Sequence, residues 1–102
     1  MATVAAIENR VIGNYISQEA SFVITSPSGT SEAITLPGVF SITGIKSFVA
    51  LESNGKSTGY DAVLTWSGNV LTIADGAGAA SDGYDHSDAA NIYVTVFCTR
   101  PI

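Results

Sequence analysis

Charge is the first thing this chain lacks. Of its 102 residues, 13% are Asp, Glu, Lys or Arg, about half the share usual in soluble domains. Its four cations, Arg10, Lys46, Lys56 and Arg100, are scattered and stand against nine acids, for a net charge of −5. Binding to nucleic acid or to anionic lipid draws on clustered cations, so neither partner is expected. With a single cysteine, Cys98, no disulfide and no cysteine-built zinc site can form within one chain. Cys98 lies in the apolar run Ile92–Cys98 and reads as a small buried hydrophobe, and a lone free thiol suits a reducing compartment. Long apolar runs are missing as well: no stretch nears the ~20 residues of a membrane helix. Glu8 and Arg10 interrupt the N-terminus before it resembles a signal peptide.

Helical periodicity is also absent. No segment keeps apolar residues at three- and four-residue spacing over the 11-residue window of an amphipathic helix, and only Ala2–Ile7 has room for one short turn. What the chain has is 46% apolar content, enough to exclude disorder, cut into short stretches by Gly and Pro-Gly punctuation. Val11–Ile16 and Ala20–Thr25 read as strands, followed by the turn Ser26-Pro27-Ser28-Gly29. Glu32–Leu36 alternates and stops at Pro37-Gly38. Val39–Leu51 carries two apolar bursts about Gly44, which marks a bulge or a bend. The strongest hairpin signal is Ala62–Trp66 and Val70–Ala74 joined by Ser67-Gly68-Asn69. Asp75–Ala90 reads as a long loop of small residues, and Ile92–Thr99 as a closing strand.

The expectation is one all-β domain over residues 1–102, an antiparallel β-sandwich or a jelly-roll-like barrel, with 1–10 as a flexible or partner-docking arm. Trp66, in mid-strand, is expected in the core or half-buried.

Chemistry finds little to work with. His86 is the only histidine and lies in Asp82-Gly83-Tyr84-Asp85-His86-Ser87-Asp88. A nucleophile–His–carboxylate triad needs three groups in register, and no Gly-x-Ser-x-Gly elbow is present, so His86 reads as a solvated loop residue. Four of the five aspartates, Asp75, Asp82, Asp85 and Asp88, fall between positions 75 and 88. Asp82, Asp85 and Asp88 are weak candidates for a calcium site, but the spacing departs from the EF-hand loop. The same residues are ordinary turn formers, and no cofactor or metal is expected. Gly76-Ala77-Gly78 is too short for a nucleotide-binding fingerprint and lacks the P-loop lysine. Tyr84, inside this acidic segment, is the aromatic expected at the surface.

The closing strand is the better guide. Ile92, Val94, Val96 and Cys98 share one face and Tyr93, Thr95, Phe97 and Thr99 the other. Both faces carry large apolar groups, while a small domain has one core. Tyr93 and Phe97, with Tyr84, are therefore the expected interface residues.

The phrase Val63-Leu64-Thr65-Trp66-Ser67-Gly68-Asn69-Val70-Leu71-Thr72-Ile73-Ala74-Asp75-Gly76, followed by Ala90-Asn91-Ile92-Tyr93-Val94-Thr95-Val96-Phe97, resembles the C-terminal half of small virion proteins of tailed bacteriophages. The resemblance covers about the last forty residues. It implies a non-enzymatic capsid decoration or cement protein, located in the virion and assembled in the host cytoplasm. Its partners would be itself, as a homo-oligomer with a trimer favoured, and the major capsid protein. A carbohydrate- or receptor-binding β module, such as a tail-fibre or neck component with Tyr84 and the aspartates at its site, is the competing reading. An enzyme comes third, since no activated nucleophile or acid–base pair can be named.

Overall fold

The computed structural model describes residues 3–11, 17–58, 61–76 and 83–99, and of Arg10 and Val11 the backbone alone. The described residues form seven strands and no helix: β1 (Thr3–Val11), β2 (Ser17–Thr25), β3 (Ser31–Thr35), β4 (Ser41–Glu52), β5 (Val63–Ser67), β6 (Val70–Ala74) and β7 (Ala89–Thr99). They build two antiparallel sheets, β1-β2-β7-β4 and β3-β6-β5. The all-β sandwich read from alternation and turn chemistry is the architecture found.

The period of two decides the layering. In β2 every second residue is withdrawn from solvent, which puts Gln18, Ala20, Phe22 and Ile24 inside. In β7 the inner set is Ile92, Val94, Val96 and Cys98, the split expected from the sequence. Ile42 and Ala50 of β4 complete that side, and Ile34, Leu71 and Ile73 face them from the three-stranded sheet. Each fully buried aliphatic or aromatic side chain contributes about 1.5–3 kcal/mol. The core is thus the main source of stability. Cys98 is buried, and burial pushes its thiol up, the contact with Gln18 working the other way.

The chain passes between the sheets four times, after β2, β3, β4 and β6. At one end the β3–β4 crossing is tied to the β5–β6 turn and to the end of β7 by backbone bonds from Leu36 N–H to Asn69 C=O (2.9 Å), Phe40 N–H to Thr99 C=O (2.8 Å) and Ile42 N–H to Gly68 C=O (2.8 Å). The β5–β6 hairpin closes through Gly68-Asn69, with Ser67 opposite Val70. Gly68 takes φ 58°, the first central position of a turn whose twist matches antiparallel strands.

Two expectations change, those for residues 1–10 and Trp66, and the choice left open at Gly44 is settled. Thr3–Val11 is strand β1, paired to β2, where the sequence suggested an arm and at most a helical turn. An edge strand in which Val4 alone of the described side chains leans on the core has too little alternation to betray it. The reading of Val11–Ile16 as a strand falls, past Val11, outside the described residues. Gly44 lies at a register shift between Ile42 and Gly44 inside one continuous strand, so it marks a bulge. Trp66 is 42% exposed. It sits opposite Leu71 on the core-facing side, but β5 is the edge of its sheet, and among the described residues no further strand pairs with its far flank.

Candidate functional site

Two regions hold the residues singled out by sequence. The first is the segment that leads into β7. Tyr84 and His86 are both fully buried, which corrects both expectations: Tyr84 is no surface aromatic or interface residue, and His86 is no solvated loop residue. The cause is visible in β3. Glu32 falls on the Ile34 side of the strand, opposite the buried Ile73, so its carboxylate points toward the sandwich interior. A carboxylate there needs donors. It finds them in His86 Nε2, 2.7 Å from Oε1, and in the backbone N–H of Ser28 at 2.8 Å.

The opposite ring nitrogen, Nδ1, meets the Tyr84 hydroxyl. Since a carboxylate only accepts, the neutral imidazole that satisfies both contacts carries its proton on Nε2 and accepts from Tyr84 at Nδ1. The tyrosine ring packs edge-on against Phe48 of β4, centroids 5.9 Å apart. One chain of contacts therefore joins β3, the segment 83–88 and β4. Burial first, and then the charges of Asp75, Glu32 and Asp85, hold the Tyr84 phenol far above the ordinary tyrosine range.

Backbone contacts lock the same segment. Asp75 Oδ1 accepts from His86 N–H at 2.7 Å, Asp61 Oδ1 from Tyr84 N–H, and Tyr84 C=O from Gly76 N–H at 3.1 Å. A Cβ at Gly76 would run into the backbone carbonyl and the carboxylate of Asp61, so only glycine fits there. Three of the acids, Asp61, Asp75 and Asp85, thus accept from named donors. Asp85 Oδ1 accepts from Ser87 N–H (3.0 Å) and Oγ (2.6 Å), and Asp88 is exposed, its N–H bonded to Asp85 C=O. Asp82 lies outside the described residues. Among the described residues no group of three or more His, Cys, Asp or Glu side chains could hold a metal ion. With both ring nitrogens engaged and no exposed surface, His86 is not placed to reach a substrate in this structure.

The second region is the outer face of the four-stranded sheet. Register aligns Ala5, Val23, Tyr93 and Val49 in one row across β1, β2, β7 and β4. Tyr93 is 41% and Val49 43% exposed. The adjacent row contains Ser21 and Thr95, whose hydroxyls are 2.8 Å apart, and Ser47. Beyond it Phe97 stands between Glu19 and Gly44. Phe97 is half-buried because its ring lies over Gly44, where a Cβ would be 3.6 Å from Cδ2. Lys46 Nζ bonds Glu19 Oε1 at 2.7 Å, from β4 to β2, across the strand that carries Phe97. Tyr93 and Phe97 therefore share the outer face, as the alternation required, but their own sheet shields Phe97 more than Tyr93.

Sequence reasoning gave no role to Glu32 or Asp61 and weighed Gly76 only as part of a nucleotide-binding fingerprint. The signal for Glu32 was present: a charge two residues before Ile34, on the apolar side of an alternating strand, demands a buried partner. Nothing in the sequence marked Asp61 or Gly76, because their meeting is made by the fold. No family model matches this chain, and neither does any curated protein or solved structure. Fold and sites together define a two-sheet β-sandwich with a clamped polar end and an open sheet face.

Proposed function

We propose that this chain is a non-enzymatic virion structural protein of the capsid decoration or cement type, which acts through contacts with its own copies and with the major capsid protein. One contrast supports the reading. His86, Tyr84 and Glu32, which could otherwise do acid–base chemistry together, are engaged in a buried clamp, whereas Tyr93, Val49, Val63, Phe40 and Ile7 are left at the surface. A domain of this size buries only about two-thirds of its unfolded surface, so lattice contacts that cover apolar groups would add to a thin margin. Scarce charge, with hydroxyl and alanine side chains between the apolar ones, leaves sheet faces that pack closely against another protein.

The test is co-sedimentation of the purified protein with capsids of its source particle stripped of minor proteins. Saturable binding at a fixed ratio to the major capsid protein supports the reading. Protein that stays in the supernatant at every ratio contradicts it. The glycan-binding alternative loses the residue it was built on, since Tyr84 is buried. It now falls to the exposed aromatics Trp66 and Phe40, each within two residues of the Gly68–Ile42 backbone bond, and a glycan array of wild type against Trp66→Ala would test it.

A further inference from the structure

We propose that the outer face of the β1-β2-β7-β4 sheet is a self-association surface, on which a second copy of this chain stacks face to face about a two-fold axis. This deepens the assembly reading above and rests on it. Three observations carry it.

The first is the row Ala5–Val23–Tyr93–Val49, which crosses all four strands with its two largest exposed members at the centre and on the edge strand β4. The next row runs from Glu8 on the edge strand β1 through the small hydroxyl side chains Ser21, Thr95 and Ser47. A second sheet can then approach to the ~10 Å of ordinary face-to-face packing.

The second is area. Four strands of nine residues span about 30 Å by 19 Å, so two such faces in contact bury about 1,100 Å², which clears the ~1,000 Å² of a specific interface. The outer face of the β3-β6-β5 sheet carries no charged residue among those described and exposes Val63. Its three strands of five residues give only about 480 Å² for two copies, the scale of an incidental contact. Size thus selects the four-stranded face.

The third is charge. Two copies at net −5 repel unless they meet where acids are offset. On this face Glu19 is paired with Lys46 at 2.7 Å and Glu8 stands on the edge strand β1, opposite Ser21, while Asp61, Asp75, Asp85 and Glu32 lie in the clamp. A two-fold stack is isologous and needs one patch per chain, whereas a trimer needs two different ones. The structure offers one large patch, so the pair replaces the trimer that the resemblance implied.

The experiment is size-exclusion chromatography with light scattering on the full chain, over a dilution series, for wild type, Tyr93→Glu and the control Val63→Glu, each checked for β-sheet by circular dichroism. The expected result is a mass of two chains for wild type and for Val63→Glu, and at least tenfold weaker association for a folded Tyr93→Glu. If Tyr93→Glu unfolds, Val49→Lys, nearer the sheet edge, is read in its place, with the same expectation. A wild type that is monomeric at every concentration, a trimer, or a pair broken by Val63→Glu and untouched by the face variants overturns the proposal. Capsid co-sedimentation is scored separately, since a monomer can still bind a capsid, so failure of the stack and failure of the virion reading are told apart.

Discussion

The clamped end and the open face of this sandwich put similar side chains to opposite uses. Tyr84 and Tyr93 lie nine positions apart in one stretch of chain, yet one is the largest fully buried side chain and the other is 41% exposed. Tyr84 has a partner for its hydroxyl and an aromatic edge against its ring. Tyr93 stands on the side of β7 turned away from the core, in a row of small apolar residues. What separates them is the layer each side chain faces. It follows that variants at the clamp should change stability, and variants on the face should change association.

The largest effect is expected at the clamp. Tyr84→Ala empties the biggest core position and strands His86, a loss of about 4 kcal/mol for a large aromatic, read as a drop in the denaturant midpoint. A variant near wild-type stability would mean that the segment is not docked as described. Gly76→Ala comes next, at about 2 kcal/mol, because the new methyl group meets Asp61 and a packed site yields only through backbone movement. An unchanged midpoint would show that the contact between Gly76 and Asp61 relaxes freely.

Tyr84→Phe sharpens the comparison at lower cost, about 1–2 kcal/mol for a buried imidazole nitrogen left without its donor. It also carries a pH signature. The folded phenol is held above the ordinary tyrosine value, chiefly by burial, so the unfolded chain loses its proton first. The sign is then fixed: this contribution is complete below the free tyrosine value near ~10 and falls as pH rises beyond it. Wild type should lose thermal stability between pH 9 and 11 more steeply than Tyr84→Phe. Parallel curves would remove the tyrosine from the account. The smallest effect belongs to Lys46→Ala on the open face. Its ion pair is nearly half exposed on the lysine side, and such pairs contribute about 0–1 kcal/mol. A loss beyond that range would mean that the pair does more than shield Phe97.

How much of this was legible in the sequence differs between the two regions for the same reason. On the sheet, period-two patterning reports burial directly, so the hairpin Val63–Ala74 and the two faces of β7 could be read residue by residue. The clamp has no period. Asp, Gly, Tyr and His in a loop read as surface turn residues, and their burial depends on Glu32, 54 positions away from His86, and on Asp61. Strand β1 was hidden for a third reason: of its described side chains only Val4 leans on the core, so there is almost no contrast between its faces to be seen. Trp66 shows the limit of the pattern itself, which gives the face of a strand but not whether the strand lies at an edge.

The central claim is that the clamp holds the fold and the face holds the partner, and one measurement separates the two directly: the melting temperature of wild type, Tyr84→Phe and Tyr93→Glu as a function of protein concentration. Association of the folded state makes the melting temperature rise with concentration. Wild type and Tyr84→Phe should rise in parallel, with Tyr84→Phe displaced downward, while Tyr93→Glu stays flat. A flat wild type, or a Tyr93→Glu that climbs as steeply as wild type, would contradict the claim.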